Sequence, residues 1–149
     1  MINERRLLYR QGILFLLMTA FVGVLMLAPV PHGPKWMQAH LAGVVTGLLL
    51  ISFGALWPEL RLSDAQRRRA LWLALVAAWL GWVSNIYVAI VNLPGPGSDP
   101  GRQPDAPWQL FVLLAILAVD IPATLGSFYL VWRGLRGNDG ANNPAARVV

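Results

Sequence analysis

Three side chains that could carry chemistry stand inside long apolar runs of this sequence: His40, Asn85 and Asp120. A polar or ionisable group at membrane depth is costly unless it meets a partner, so each is a candidate functional residue. An imidazole can ligate a metal, an amide can bond another helix or orient a ligand, and a carboxyl can relay a proton. For the lone carboxyl of Asp120 we favour a supporting role, because a relay usually needs several such groups.

His40 shares one helical face with a series of glycines. Gly43, Gly47 and Gly54 follow it at steps of 3, 4 and 7 residues, which return to the same side of an α-helix. Two interpretations are open. In the first, the glycines only pack against another helix and His40 bonds a neighbouring carbonyl or serine. In the second, His40 is a metal ligand beside a surface hollow that admits a flat cofactor.

The composition of the chain is that of a membrane protein. It is 56% hydrophobic and 13% charged, with a mean hydropathy of +0.54. The net charge of +5 does not indicate nucleic acid, because the arginines flank apolar runs, as topology signals do. The absence of cysteine excludes disulfides, thiolate-ligated haem and iron–sulfur clusters. With only two histidines, His32 and His40, a zinc site built from several histidines is not expected.

Four apolar runs are each long enough to cross the roughly 30 Å hydrocarbon core of a bilayer as a helix. They cover residues 12–30, 37–57, 70–92 and 108–132. The sequence therefore predicts an all-α, integral-membrane four-helix bundle that forms a single domain over residues 1–137. The polar, Gly- and Ala-rich segment 138–149 is expected to be a flexible tail.

The connections and their charges predict the topology. We expect a tight turn from Pro31 to Trp36, with His32 in solvent, and a polar loop over residues 58–69. That loop and the two terminal segments hold ten of the twelve Lys and Arg residues. We expect a multi-pass protein of the cell inner membrane, and the positive-inside rule places both termini and the 58–69 loop in the cytoplasm. Tryptophans at the span ends are expected at the membrane interface: Trp36, Trp57, Trp108 and Trp132.

Two more helical faces carry polar or aromatic groups. Trp79, Trp82 and Asn85 share one face, which is either core packing or an aromatic wall for a small apolar substrate. The other face combines a carboxyl with two hydroxyls: Asp120, Thr124 and Ser127. No lysine or arginine is available at that depth, so the carboxyl of Asp120 is either protonated or bonded to hydroxyls, to Asn85 or to backbone.

Several short motifs together resemble a known family. They are Ala39-His40-Leu41-Ala42-Gly43-Val44-Val45-Thr46-Gly47, Gly54-Ala55-Leu56-Trp57, Arg61-Leu62-Ser63, Asn85 and Pro107-Trp108-Gln109. The chain resembles, over roughly residues 10–136, the small four-span isomerases comprising hydroxylaminobenzene mutase and styrene oxide isomerase. The resemblance implies haem b bound through His40, between the protomers of a trimer, with ferric iron acting as a Lewis acid.

The same resemblance implies roles for individual residues. Asn85 would orient the substrate, and Thr46 stands where the family commonly has an asparagine. Ala89 stands where styrene oxide isomerase has a tyrosine, and Tyr87 is close by. The candidate catalytic residues are thus Asn85, Thr46 and Tyr87, while His40, Gly43 and Gly47 are the candidate haem-binding residues.

The predicted function is an intramolecular rearrangement of a small aromatic substrate, either an arylhydroxylamine to an aminophenol or an epoxide to an aldehyde. One histidine per chain leaves iron an open position, which suits a Lewis acid better than an electron carrier with two protein ligands. The partners expected are the substrate, lipid and further copies of the chain in a homo-oligomer. The alternative is a non-catalytic membrane subunit that packs through its glycines, or a b-type haem electron carrier.

Overall fold

The computed structural model describes residues 3–27, 33–94 and 104–136 of the chain, and four long helices occupy most of them. The helices are α1 (Glu4–Leu25), α2 (Gly33–Leu56), α3 (Asp64–Val91) and α4 (Pro107–Arg136), and a short 3-10 helix, Trp57–Glu59, follows α2. Each of the four is long and apolar enough to cross a membrane. The all-α, four-span prediction is confirmed.

The first helix begins eight residues before the predicted start of its span at Gly12 and includes the arginine-bearing segment. Asn3 caps it, since the Asn3 side chain accepts a hydrogen bond from the backbone N–H of Arg6 at 3.1 Å. Glu4 also accepts a hydrogen bond from the indole Nε1 of Trp57 at 3.0 Å. Polar capping and a bond to the 3-10 helix after α2 therefore extend α1 beyond its apolar run, which hydropathy alone does not detect.

The second helix corrects the predicted turn between the first two spans. Residues 33–36 already belong to α2, because Pro34 lies in its first turn, where the missing N–H has no partner to lose. His32 and the rest of that turn lie outside the described residues. Trp57, expected at the membrane interface, is instead only 4% exposed, because it turns towards α1 and bonds Glu4.

The third helix begins inside the segment predicted as a polar loop. Ser63 accepts a hydrogen bond from the backbone of Gln66, and the Gln66 side chain bonds the backbone of Ser63 in return. This capping box starts the helix at Asp64, well before the apolar run at Ala70. The fourth helix extends from Pro107 to Arg136, and the predicted tail lies outside the described residues.

The helices pack as two antiparallel pairs, α1 with α2 and α3 with α4, joined by contacts between α2 and α3. Phe15 of α1 lies at the centre, with its ring 4.9 Å from that of Trp79 and 5.7 Å from that of Trp82. Trp82 is 7% exposed. Trp79 and Trp82 therefore pack in the core, as in the first of the two interpretations left open for their face.

A buried lysine connects the N-terminal end of α2 to the C-terminal end of α3. Lys35 is 2% exposed, and its ammonium donates to the side-chain oxygen of Asn92 at 2.6 Å and to the backbone oxygen of Leu93. Asn92 ends α3 in the left-handed conformation, with φ of 52°. A cation at this end of α3 also complements the partial negative charge of the helix terminus.

Candidate functional site

The glycine face of α2 packs directly on α1. A Cβ added to Gly47 would lie 2.9 Å from the backbone oxygen of Gly12, and one added to Gly12 would lie 2.7 Å from the oxygen of Gly47. A Cβ on Gly43 would meet the hydroxyl of Thr19 at 2.6 Å and the indole nitrogen of Trp82 at 2.7 Å. The hollow that these glycines make on α2 is therefore filled by α1 of the same chain. Their assignment to haem binding stays a prediction.

His40 is held against α1 by two reciprocal hydrogen bonds. Its ring Nδ1 lies 2.8 Å from the backbone oxygen of Thr19, and the Thr19 hydroxyl donates to the backbone oxygen of His40 at 2.6 Å. Because a carbonyl oxygen only accepts, Nδ1 carries a proton. In a neutral ring, Nε2 then presents its lone pair, and no hydrogen bond to Nε2 is found among the described residues.

Gly23 makes room for the imidazole. A Cβ built on Gly23 would lie 2.8 Å from Cε1 of His40 and 3.0 Å from its Nδ1, so the ring rests on bare backbone one turn beyond Thr19. Neither Thr19 nor Gly23 was a candidate from the sequence. The signal was present in the small residues Gly12, Thr19 and Gly23, whose spacing of 7 and 4 residues returns to one face of α1.

The predicted catalytic residues Thr46 and Asn85 line one groove of about 720 Å³ between α2 and α3. Gln38 and Ala42 of α2 and Gly81 of α3 also border it. The Asn85 amide nitrogen donates to the backbone oxygen of Gly81 at 2.8 Å. This bond fixes the orientation of the side chain and leaves its carbonyl oxygen available to a molecule in the groove.

Within one chain, the His40 ring and the polar part of this groove face different sides of α2. At about 3.6 residues per turn, Ala42 is about 160° and Thr46 about 120° around the helix from His40, whereas Met37, at the near edge of the groove, is about 60° away. The imidazole meets α1, whereas Ala42 and Thr46 line the groove towards α3. The structure thus brings Thr46 and Asn85 together and places His40 apart from them.

Tyr87, the third predicted catalytic residue, does not line the groove. Its hydroxyl donates to the backbone oxygen of Gln109 at 3.0 Å, so it connects α3 to the first turn of α4. Tyr87 follows Asn85 by two residues, so at about 100° per residue the two side chains are about 160° apart around α3.

Asp120 lies behind the groove, and it shares one face of α4 with Thr124 and Ser127, as the sequence predicted. The Thr124 hydroxyl donates to Asp120 Oδ1 at 3.3 Å, which is one of the alternatives left open for this carboxyl. All three side chains line a cavity of about 180 Å³, and Thr46 and Gly81 border both this cavity and the groove. Asp120 is therefore separated from the groove by a single layer of residues.

The described residues hold no cluster suited to a bare metal ion. No group of three or more His, Cys, Asp and Glu side chains is close enough together in the described segments. A ligand set of one imidazole would fit a metal whose remaining strong ligands come from a macrocycle. His40, with Nδ1 fixed by a backbone carbonyl, has the arrangement typical of such a ligand.

Comparison with known proteins gives consistent results. The family described as styrene oxide isomerase matches residues 4–136. Hydroxylaminobenzene mutase HabB of Ectopseudomonas oleovorans is 25% identical over 146 residues, which are 95% of this chain and 87% of the relative. Hydroxylaminobenzene mutase HabA of the same organism is 28% identical over 134 residues, 86% of this chain and 96% of the relative.

No solved structure was found to match. The relatives are mutases of nearly the same length, and the family match covers all four helices. The chain is an isomerase with four helices that are long and apolar enough to cross a membrane, and it belongs to the styrene oxide isomerase family.

Proposed function

We propose that the protein is a haem b-dependent isomerase that rearranges a small aromatic substrate, and that His40 is the axial ligand of the haem. The observation that carries the proposal is the state of the His40 ring. Nδ1 is bonded to the Thr19 oxygen at 2.8 Å, while Nε2 has no hydrogen-bond partner among the described residues. A ferric porphyrin held by one imidazole supplies, when bound, a Lewis-acid position for a substrate oxygen.

The residues of the chain hold and orient the reacting molecules. Thr19 and Gly23 fix the imidazole by a hydrogen bond and by close approach of the backbone. Asn85, anchored on the Gly81 oxygen, presents its side-chain carbonyl to a donor on the substrate. The lining of the groove is mostly apolar, so the groove excludes water once lipid or a second copy covers it, and water would otherwise trap a reactive intermediate and divert the rearrangement.

The site we propose is completed by a second copy of the chain. The His40 ring faces α1 and Asn85 faces the groove, and we therefore propose that a molecule that meets both lies between copies. The outward faces also carry many exposed apolar side chains, such as Phe21, Leu41 and Val45, which suit lipid or another protomer. We infer a homo-oligomer, a trimer by analogy with the family, in the cell inner membrane with both termini cytoplasmic.

The substrate is identified by incubating membranes that contain the protein with phenylhydroxylamine and, separately, with styrene oxide. Both candidates are rearranged without gain or loss of atoms, so each has one isomeric product to measure: 2-aminophenol or phenylacetaldehyde. The names of the relatives favour the hydroxylamine. We expect 2-aminophenol to form faster than in membranes without the protein. Formation of neither isomer, with haem bound, would refute the function.

Replacement of Asn85 tests the groove. Asn85→Ala is expected to lower turnover by roughly 100-fold, the usual cost of one orienting hydrogen bond at a reacting centre. Haem content should stay near that of the unaltered protein, because Asn85 and His40 lie on different sides of α2. The measurement pairs initial rates with the haem absorbance of the same sample.

The matched control is Ser84→Ala. The Ser84 hydroxyl donates to the same Gly81 oxygen at 2.7 Å, but Ser84 is buried outside the groove. It should keep most of the turnover. Similar losses in both variants would mean that the helix backbone at Gly81, and not the groove, is being disturbed.

A further inference from the structure

A small cavity, partly open on the side of Phe128, lies between α2, α3 and α4 and has a volume of about 180 Å³. We propose that it binds a small aromatic molecule that carries an N–H or O–H group, such as an aryl amine, an arylhydroxylamine or a phenol. The cavity is separate from the groove, so the proposal goes beyond the function set out above.

The cavity is polar at one end and aromatic at the other. Thr46 and Phe53 are about two turns apart on α2, and Asp120 and Phe128 are about two turns apart on α4. All four line the cavity, and the two rings meet at a centroid distance of 5.4 Å and an interplanar angle of 78°. The Asp120 carboxyl lies beside Gly81. Gly81 and Thr46 both border the groove as well as the cavity, so Asp120 and Thr46 lie at the same end of the cavity. A molecule with a ring and a polar head has matching surroundings at both ends.

The polar end offers hydrogen-bonding groups that the chain itself leaves unused. Thr124 donates to Asp120 Oδ1, but Oδ2 and the hydroxyl of Thr46 have no hydrogen bond to any described residue. Both carboxyl oxygens lie within 3.6 Å of the position that a Cβ on Gly81 would occupy, so the absence of a side chain there leaves them accessible. A carboxyl within a membrane span is costly without partners, and an N–H or O–H donor from a ligand supplies one.

The size of the cavity selects small rings. A cavity of about 150 Å³ is known to bind benzene in a protein interior, so 180 Å³ leaves room for a ring with one or two further heavy atoms. Phe128, which is 44% exposed, borders the cavity on the outer side of α4. Entry beside Phe128 suits a molecule that is already dissolved in the bilayer.

The chemistry of the polar end also bears on the substrate. An arylhydroxylamine has both N–H and O–H donors for Asp120, whereas an epoxide has only an acceptor oxygen. Because Thr46 and Gly81 border both spaces, the cavity can hold an arylhydroxylamine next to the groove. This choice of substrate rests on the proposed function, but binding in the cavity does not.

Binding is measured by equilibrium dialysis of the full chain in lipid nanodiscs, with empty nanodiscs as the reference for lipid partitioning. The probes are 4-fluoroaniline and 4-fluorotoluene, which have nearly the same shape and are quantified by ¹⁹F NMR. We expect saturable retention of 4-fluoroaniline, roughly tenfold tighter than that of 4-fluorotoluene, the usual effect of a hydrogen bond to a carboxyl. The readout needs neither haem nor turnover, so its failure is distinguishable from failure of the proposed function.

Two variants locate the binding in the cavity. Ala77→Leu fills it and should abolish saturable retention of both probes, whereas Ala115→Leu makes the same change on an exposed face of α4 and should not. Asp120→Leu should remove the preference for 4-fluoroaniline while 4-fluorotoluene still binds. Where Asp120→Leu does not give folded protein, Asp120→Asn replaces it and should weaken 4-fluoroaniline binding several-fold. Non-saturable retention by the unaltered protein, or retention insensitive to Ala77→Leu, would overturn the proposal and leave a cavity that holds only water.

Discussion

Replacing His40 by alanine is expected to remove the haem and, with it, the activity. The purified protein should show a Soret band near about 400 nm that is absent in His40→Ala, because the imidazole is the single protein ligand we propose. Loss of Lewis-acid assistance of several kcal/mol corresponds to a fall in turnover of about 1000-fold or more. The absorbance spectrum and the rate are measured on the same preparation, expressed with ample haem.

The control for this experiment is the other histidine of the chain. His32→Ala removes the same chemical group at another position and should keep the Soret band. Added imidazole is a second test, because His40→Gly leaves a space beside Gly23 in which free imidazole can ligate the iron and restore part of the band. A colourless unaltered protein, or a band that survives His40→Ala, would rule out the proposed ligation.

The four spans were predictable because apolar run length is a property of the sequence alone. The helix ends were not, because they depend on capping groups that hydropathy ignores. Ser63 and Gln66 form the clearest example, since the Ser-x-x-Gln pattern is a recognised start signal and still lies within a segment predicted as loop. The start of α1 at Glu4 similarly follows from the Asn3 cap.

The face of α2 that carries His40 was also predictable, from the 3.6-residue period of its glycines. What this face meets was not, because that depends on how α1 aligns with α2. Gly12 and Gly47 are 35 residues apart in sequence and touch only because both lack a side chain at the same level. Both contacts of the packing interpretation are present, since the ring bonds a backbone carbonyl and the glycines pack on α1, but only Nδ1 is occupied and the metal-ligand interpretation stays a prediction.

The candidate site was predicted as a set of residues but not as an arrangement. Thr46 and Asn85 come together because α2 and α3 pack through Trp82, whose indole donates to the Ala39 oxygen at 3.2 Å. The spacing of residues along one helix does not determine how that helix is aligned along its axis with a neighbouring helix. The separation of His40 from the groove, and hence the need for a second copy in our proposal, follows from that packing.

Gly47→Leu is expected to have the largest effect on folding. Its Cβ would lie 2.9 Å from the Gly12 oxygen, a backbone atom that cannot move aside without separating α1 from α2. We expect a loss of about 3 kcal/mol in the free energy of unfolding, at the upper end for overpacking of a tight contact. The measurement is the midpoint of an SDS titration, followed by far-UV circular dichroism. Bound haem should fall in parallel, because α1 also carries the Thr19 oxygen that fixes His40.

The matched control is Gly33→Leu, on the same helix, where an added Cβ would have no atom within 4 Å. Its SDS midpoint should change little, and equal shifts in the two variants would contradict the close contact.

Gly12→Leu should destabilise the protein as Gly47→Leu does, and the loss of stability in the double variant should be smaller than the sum of the two single losses, because either change already separates the helices. Since α1 and α2 belong to one chain, the difference in midpoint between Gly47→Leu and the unaltered protein should not depend on protein concentration, whereas for a glycine face buried between copies this difference would change on dilution.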